Sequence, residues 1–228
     1  MIDIHTHVLP FVDDGSKSYE ETVELLREEE SFGVTDVICT PHLRANFRTT
    51  RDELDELIKK VQKKINECGI KINLHLGREL YITKHYKSNL VGFSATMPNK
   101  KYVLVEYGVS FDCEIVETVY EFVNMGYIPI IAHPERYSHL TTDDVAEVKN
   151  LGGLIQVNAE SVTLSSFSKV GRFIKKLLDM KLVDFISSDI HYGRKNKLKK
   201  AYEYVVKKHG KNYAEKIFNE NAKILIEG

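Results

Sequence analysis

Apolar residues recur along this chain in two rhythms. Short, mostly apolar and β-branched runs stand at Ile2–His5, Asp36–Thr40, Ile70–Leu76, Tyr102–Glu106, Ile128–Ala132, Leu154–Asn158 and Asp184–Ser188. Between them, apolar residues fall three and four apart, the spacing of one helix face. Ser18 opens the first such stretch, with Glu21 three residues on as a capping box. Val23, Leu25, Leu26 and Phe32 supply its apolar face and Gly33 ends it. A second helix is expected from about Thr50 to Glu67, carrying Leu54, Leu57, Ile58, Val61 and Ile65 and stopped by Gly69. Further helices are expected over about Asp112 to Met125, Thr142 to Asn150, Val170 to Met180, Lys197 to Lys208 and Tyr213 to Ile226. Residues 82–100 are polar and irregular, with Gly92 and Pro98. Seven strands alternating with helices imply parallel βαβ units. That count suits an α/β barrel, closed or nearly so, with an open doubly wound sheet as the alternative. No glycine-rich phosphate loop follows the first strand, which argues against a dinucleotide fold.

Length and composition narrow the picture. The 228 residues, 43% of them hydrophobic, are enough for one sizeable core, and no Pro/Gly/Ser-rich linker divides them, so one domain is expected. Lys+Arg 32 against Asp+Glu 33 argues against a general nucleic-acid or anionic-membrane binder. No apolar run approaches a transmembrane length, and no cationic region precedes an apolar one at the N-terminus, so neither membrane insertion nor a signal peptide is expected. Cys39, Cys68 and Cys113 are odd in number and have no paired spacing, which points to a reduced, cytoplasmic protein.

The chemistry gathers where the strands end. The first strand runs into His5-Thr6-His7, and residues two apart in an extended chain face one side, so two imidazoles can hold one cation. Taken alone, such a pair is weak evidence of a metal and reads more readily as two half-buried histidines in a strand. The later strands change this: His42 follows the second, Glu79 the third, Glu106 closes the fourth, His133 follows the fifth, and Asp189 and His191 follow the last. Asp14 stands in the loop after the first. In a parallel barrel these ends share one rim. Five of the chain's nine histidines are in this set. The candidate ligands are all imidazole or carboxylate, which suits Mn²⁺, Fe²⁺ or Zn²⁺, with Mg²⁺ also compatible, and disfavours a structural cysteine–zinc site. The set is too large for one ion and implies two or three, with a carboxylate such as Glu79 bridging a pair. Arg136 and Arg194 each stand three residues after a histidine of the set. A guanidinium fork matches two phosphate oxygens, so the arginines at a metal rim favour a dianionic oxyanion substrate.

Read together, His5-Thr6-His7, Thr40-Pro41-His42, Gly77-Arg78-Glu79-Leu80-Tyr81, Val105-Glu106-Tyr107, Ala132-His133-Pro134-Glu135-Arg136-Tyr137, Gln156-Val157-Asn158-Ala159 and Ser188-Asp189-Ile190-His191 occur in the order of PHP-domain (polymerase and histidinol phosphatase) proteins. Val12-Asp13-Asp14-Gly15 and the run Ala132 to Tyr137 narrow the likeness. They resemble the manganese-dependent protein-tyrosine phosphatases of bacterial capsule and exopolysaccharide clusters, the CpsB/YwqE type, over essentially the whole chain. The resemblance implies a distorted (β/α)7 TIM-like barrel and a site for three ions. One ion would take His5, His7, Glu79 and Asp189, a second Glu79, Glu106 and His133, a third Asp14, His42 and His191. It also implies that Arg136 and Arg194 grip the phosphate and that the partner is a membrane-linked tyrosine autokinase with a tyrosine-rich tail.

The expected reaction is phosphomonoester hydrolysis, with phosphotyrosine as the favoured substrate. Water made acidic by the metals attacks phosphorus in line, and charge on the phosphoryl oxygens is stabilised by metals and arginines. Phenolate, with a pKa of about 10, is a fair leaving group; His42 or Asp14 could assist through water. A cysteine mechanism needs C-x5-R, and Cys39 and Arg44 are one residue too close. A histidinol-phosphate phosphatase is the alternative within the fold, and a catalytically dead binding module the alternative outside enzymes. Phe11, Phe47, Tyr81 and Tyr107 are candidates to receive a tyrosyl ring.

Overall fold

The computed structural model describes residues 1–47, 49–83, 86–87, 96–108 and 115–227. Gly92, Cys113 and the expected helix start at Asp112 lie outside the described residues. The strands are β1 (Ile2–Thr6), β2 (Asp36–Cys39), β3 (His42–Leu43), β4 (Asn73–Leu76), β5 (Glu79–Tyr81), β6 (Tyr102–Glu106), β7 (Ile128–Ala132), β8 (Leu154–Asn158) and β9 (Phe185–Ser187). Every pairing is parallel, and the strands form two sheets, β1-β2-β4 and β3-β5-β6-β7-β8-β9.

The division into two sheets comes from two bent strands. Pro41 has no N–H for the ladder, and the strand expected to end at Thr40 resumes as β3 after it. Gly77-Arg78 bends the neighbouring chain at the same level, separating β4 from β5. Hydrogen bonds carry across both bends, from Gly77 N–H to the Cys39 carbonyl at 2.9 Å and from Glu79 N–H to the Pro41 carbonyl at 3.3 Å. The bends set His42 opposite Glu79 in register. At the other side, Asp189 N–H donates to the His5 carbonyl at 2.9 Å, His7 N–H donates to the Ile190 carbonyl at 3.1 Å, and a parallel bridge joins Thr6 to Ile190.

Helices follow the strands: α1 (Tyr19–Ser31), α2 (Arg51–Glu67), α3 (Ile115–Asn124), α4 (Thr142–Asn150), α5 (Ala159–Val162), α6 (Lys169–Asp179), α7 (Leu198–His209), α8 (Lys211–Glu215) and α9 (Asn221–Ile226). A π turn at Lys216–Glu220 joins the last two, so the expected final helix is one helical run with a widened middle. The capping box at Ser18 is only half formed. Ser18 accepts from Glu21 N–H, but the Glu21 carboxylate takes the N–H of Lys17. Reciprocal boxes stand instead at Thr50/Glu53 and Thr141/Asp144. The third expected strand begins at Asn73 rather than Ile70, because Ile70 N–H closes the end of α2 on the Ile65 carbonyl at 3.0 Å after Gly69 turns left-handed (φ 75°).

One apolar cluster lies between sheets and helices; a second is formed by Ile2, Ile4, Ile38, Met97, Tyr102, Leu104, Ile130, Ala132 and Phe185, covered by Ala222 and Leu225 of α9. Side chains two apart share a strand face. Beyond Tyr102 and Leu104 on that face comes Glu106, and beyond Leu154 come Gln156 and Asn158. The inner face is therefore apolar at one end of the strands and polar at the other. Among the described residues no helix is long and apolar enough to cross a membrane.

Arg78 secures the bend. It is 1% exposed, and its guanidinium donates to the carbonyls of Thr49 at 2.9 Å and His42 at 3.0 Å. Burial and the charge of Arg51 lower its pKa to about 10, which leaves it cationic at neutral pH. Charge-assisted hydrogen bonds contribute about 1.5–3 kcal/mol each. Arg78→Leu is expected to lower the unfolding free energy by about 3 kcal/mol or more, read as a shift in the urea midpoint; an unshifted midpoint removes Arg78 from this role.

Candidate metal centre and phosphate site

All nine side chains expected at the strand ends meet at the polar end of the sheets. Four overlapping groups within reach of a shared cation are His7/Asp14/His42/His191, His5/His7/Asp189, His5/Glu79/His133 and His42/Glu79/Glu106. Glu79 is 0% exposed and lies at the middle. Its Oε1 is 3.2 Å from His5 Nε2 and 3.1 Å from His133 Nε2; its Oε2 is 3.4 Å from His7 Nε2 and 2.7 Å from His42 Nδ1. The grouping differs from the expected one: His7 also joins Asp14, His42 and His191, His5 joins Glu79 and His133, and Glu106 groups with His42 in place of His133. The His42 imidazole stands between two groups, with Nδ1 toward Glu79 and Glu106 and Nε2 3.3 Å from Asp14 Oδ1. His191 Nε2 approaches the same Asp14 oxygen at 3.4 Å.

The tautomers follow from the partners. His5 Nδ1 donates to Gln156 Oε1 at 3.0 Å, and His7 Nδ1 donates to Asp13 Oδ2 at 2.7 Å. His191 Nδ1 donates to the Asp189 carbonyl at 3.0 Å. The Nε2 atoms are thereby turned inward, and those of His5 and His7 face each other at 3.3 Å. Two nitrogen lone pairs so close call for a proton or a metal ion between them. Glu79 Oε2, Glu106 Oε2 and His42 Nδ1 are buried without a hydrogen bond of acceptable geometry, although His42 Nδ1 and Glu79 Oε2 are close. Buried, unsatisfied acceptors beside inward-facing imidazoles and a carboxylate-rich centre fit divalent cations.

The electrostatics agree. Burial works against charge on Glu79, yet His5, His133 and His42 hold its pKa well below the ordinary value. Burial lowers the His5 pKa, but Glu79 and Asp189 more than offset this and raise it to about 9. Burial and the neighbouring Glu79 raise Glu106 to about 7. Burial, with His7, lowers His191 to about 4. Such opposed shifts are typical of functional sites. Two of the nine residues hold left-handed backbone, His133 (φ 35°) and Asp189 (φ 50°), a costly conformation for a side-chain-bearing residue.

The two arginines differ. A 3-10 turn at Pro134–Arg136, closed by Arg136 N–H on the His133 carbonyl at 3.0 Å, swings Arg136 back over the cluster. Its guanidinium donates to Asp189 Oδ2, and the side chain is 35% exposed. Arg194 is carried back likewise by its N–H on the His191 carbonyl at 3.1 Å, but its side chain is exposed, and its effect on the cluster is a lowering of the His191 pKa.

Several supporting residues were not singled out as site residues by the sequence reading. Asp13 orients His7 and also accepts the N–H groups of Gly15 at 2.9 Å and His42 at 3.1 Å. Gln156 bonds His5 and the His133 N–H, then donates to Asn158, whose Nδ2 donates to Asp189 at 2.7 Å. Their signal in the sequence was their place in the motifs Val12-Asp13-Asp14-Gly15 and Gln156-Val157-Asn158-Ala159. Of the candidate ring receivers, Tyr107 is 1% exposed and packs edge-on against Tyr137. Phe47 stacks on His42 with ring centroids 5.8 Å apart, Phe11 is 66% exposed, and Tyr81 is half-buried. Cys39 is fully buried, and burial raises its pKa well above that of an ordinary thiol, which leaves no thiolate for catalysis.

The family model for capsular polysaccharide synthesis, CpsB/CapC, matches residues 1–227. The chain belongs to this CpsB/CapC family. It is 30% identical, over an alignment of 238 positions, to tyrosine-protein phosphatase CpsB of Streptococcus pneumoniae, covering 99% of this chain and 98% of that one. Among solved structures it superposes with a TM-score of 0.90 and 25% identity on a chain from the crystal structures of YwqE from Bacillus subtilis and CpsB from Streptococcus pneumoniae, described as unique metal-dependent tyrosine phosphatases; 99% of this chain and 94% of that one are covered. A histidinol phosphate phosphatase from Lactococcus lactis, solved with zinc, L-histidinol and phosphate, matches with a TM-score of 0.59 and 16% identity over 92% of this chain and 95% of that one, a likeness of fold. The CpsB/CapC chain is thus an α/β protein with parallel sheets, similar in structure to PHP and TIM-barrel-like hydrolases.

Asp13 offers a direct test of the cluster's organisation. Groups that orient a metal-bound histidine contribute roughly ten- to a hundred-fold in metal affinity. Asp13→Asn is expected to weaken divalent-cation binding by about that factor with native circular dichroism, measured by calorimetric titration. Unchanged affinity would remove Asp13 from the support of His7.

Proposed function

We propose that this CpsB/CapC member is a metal-dependent protein-tyrosine phosphatase. The observation that carries the reading is the meeting of nine imidazole and carboxylate groups with the guanidinium of Arg136 at one rim, in a chain of this family. His5, His7, Asp14, His42, Glu79, Glu106, His133, Asp189 and His191 are the proposed ligands of two or three ions, with Mn²⁺ as the proposed metal. Divalent ions held there supply Lewis acidity toward phosphoryl oxygens and make water acidic enough to ionise near neutral pH. Arg136 spends one donor on Asp189, which aims the planar fork, and offers the rest to the phosphate. Arg194 adds a second cation from the exposed side. Asp14, with a side chain 49% exposed, and His42 stand where a proton can pass to the leaving oxygen. The two sheets read as one distorted barrel of seven staves, with β2/β3 and β4/β5 each forming one stave and the Thr6–Ile190 bridge joining its edges. The chain is read as one domain acting in the cytoplasm on a tyrosine autokinase of capsule or exopolysaccharide synthesis. Histidinol phosphate has only the likeness of fold behind it.

The test is a rate comparison. Chelator is expected to abolish turnover of a phosphotyrosine peptide and Mn²⁺ to restore it, with histidinol phosphate and a phosphoserine peptide turned over far more slowly. Inactivation by thiol alkylation, with chelator harmless, overturns the reading.

The arginines are tested separately. Loss of a charged hydrogen bond at a developing oxyanion costs on the order of 2.7–4 kcal/mol, roughly a hundred- to thousand-fold in kcat. Arg136→Ala is expected to fall in that range, with Arg136→Lys only partly active because an ammonium lacks the fork. Metal content should persist, since removing a cation beside Asp189 leaves that carboxylate freer for an ion. Arg194→Ala is expected to lose less and to weaken inhibition by inorganic phosphate. Wild-type rate, inhibition and metal content in Arg194→Ala reduce it to surface charge.

A further inference from the structure

A hollow of about 510 Å³ lies beside the rim, between the Pro134–Arg136 turn, α5 and α6. Leu140, Leu164, Val170 and Phe173 form its apolar side, and Glu135 and Arg136 form the wall it shares with the cluster. A volume of this size is typical of ligand sites. Leu164, on its wall, is 38% exposed, so the hollow opens to solvent on an apolar side.

The shared wall ties the hollow to the cluster by hydrogen bonds. Arg136 lines the hollow and donates to Asp189. Glu135 Oε1 accepts the N–H of Asn158 at 2.9 Å, and Asn158 in turn donates to Asp189 at 2.7 Å. Glu135 is itself buried, and its own backbone N–H and Ser161 also hold its carboxylate. Lys169 is held to the Ser138 carbonyl at 3.2 Å, Glu160 brings negative charge to the lining, and burial raises the Glu135 pKa to about 7. A phosphate gripped by Arg136 would therefore lie beside an apolar hollow.

We infer that this hollow receives an apolar side chain flanking the phosphotyrosine of the protein substrate. The inference rests on the phosphatase reading above. It makes the enzyme discriminate between phosphotyrosine sequences: an apolar flank gains the hollow, and a charged flank must give up its hydration to enter it.

The experiment uses the full chain loaded with Mn²⁺ and two phosphotyrosine peptides, identical except for Leu or Asp on both sides of the tyrosine. The expected kcat/KM ratio favours the Leu peptide on the order of ten-fold, the scale of burying one aliphatic side chain in an apolar pocket. Phe173→Ser is expected to bring the ratio toward one; the ratio cancels any general loss of activity. Leu164→Asn, at a more exposed position, serves the same purpose if Phe173→Ser fails to fold. Equal kcat/KM for the two peptides on the wild-type enzyme, or an unchanged ratio in the variant, overturns the inference and leaves the phosphatase reading standing. Failure to hydrolyse either peptide and a small aryl phosphate overturns both.

Discussion

A carboxylate with no exposure to water stands at the centre of this molecule. Glu79 has lost the hydration that would keep it charged, and in an apolar interior it would take up a proton. It stays ionised because His5, His7, His42 and His133 crowd its two oxygens. That requirement fixes much of the surrounding architecture. His5 and His7 must leave β1 with both Nε2 atoms inward, so Gln156 and Asp13 take their Nδ1 protons. His42 and Glu79 must face each other, so their two strands bend together at Pro41 and Gly77-Arg78, and Arg78 is buried to hold the bend. The left-handed backbone at His133 turns its imidazole to the Glu79 carboxylate, and that at Asp189 accompanies a side chain turned toward His5 and His7.

Much of the layout was legible in the sequence, for a physical reason. Parallel strands buried on both faces read as continuous apolar runs, and a histidine or carboxylate at the end of such a run is conspicuous. β6, β7 and β8 match their expected ranges, and all nine proposed ligands converge. The two short strands β3 and β5 were not legible. Each follows its partner after a break of only two residues, and a pattern of alternating polarity cannot reveal that a ladder resumes beyond a proline. Glu21 illustrates another limit. Its spacing from Ser18 satisfies the capping-box pattern, but the N–H of Lys17 is an equally local donor, and only the path of the loop decides between them.

Supporting residues were harder to see than ligands. Asp13 and Asp14 are adjacent and chemically identical, yet one is 5% exposed and orients His7 while the other points outward toward His42 and His191. Gln156 and Asn158 were visible as a motif, but their roles depend on partners more than twenty residues away: Gln156 reaches back to His5 and His133, and Asn158 forward to Asp189. Sequence spacing gives the side of a strand on which a group lies. It does not give which of several polar neighbours receives its hydrogen bond, because that depends on the crossing of separate chain segments.

Depth within the site bears on the choice of substrate. His5, His7 and Glu79 are fully buried, while Asp14 and Arg136 are progressively open to water. Charges at the bottom are fixed by burial and can serve cations, whose binding requires a rigid, dry donor set. Groups at the top retain hydration and can exchange it for phosphate oxygens. A small phosphate ester is best selected by a pocket that closes around its leaving group. Around this rim Phe11 instead stands open and Phe47 lies flat on His42, while Tyr107 is buried against Tyr137. A phosphotyrosine suits that shape: the ring carries the phosphate down to the arginine, while the peptide remains on the surface where the protein chain can spread across it.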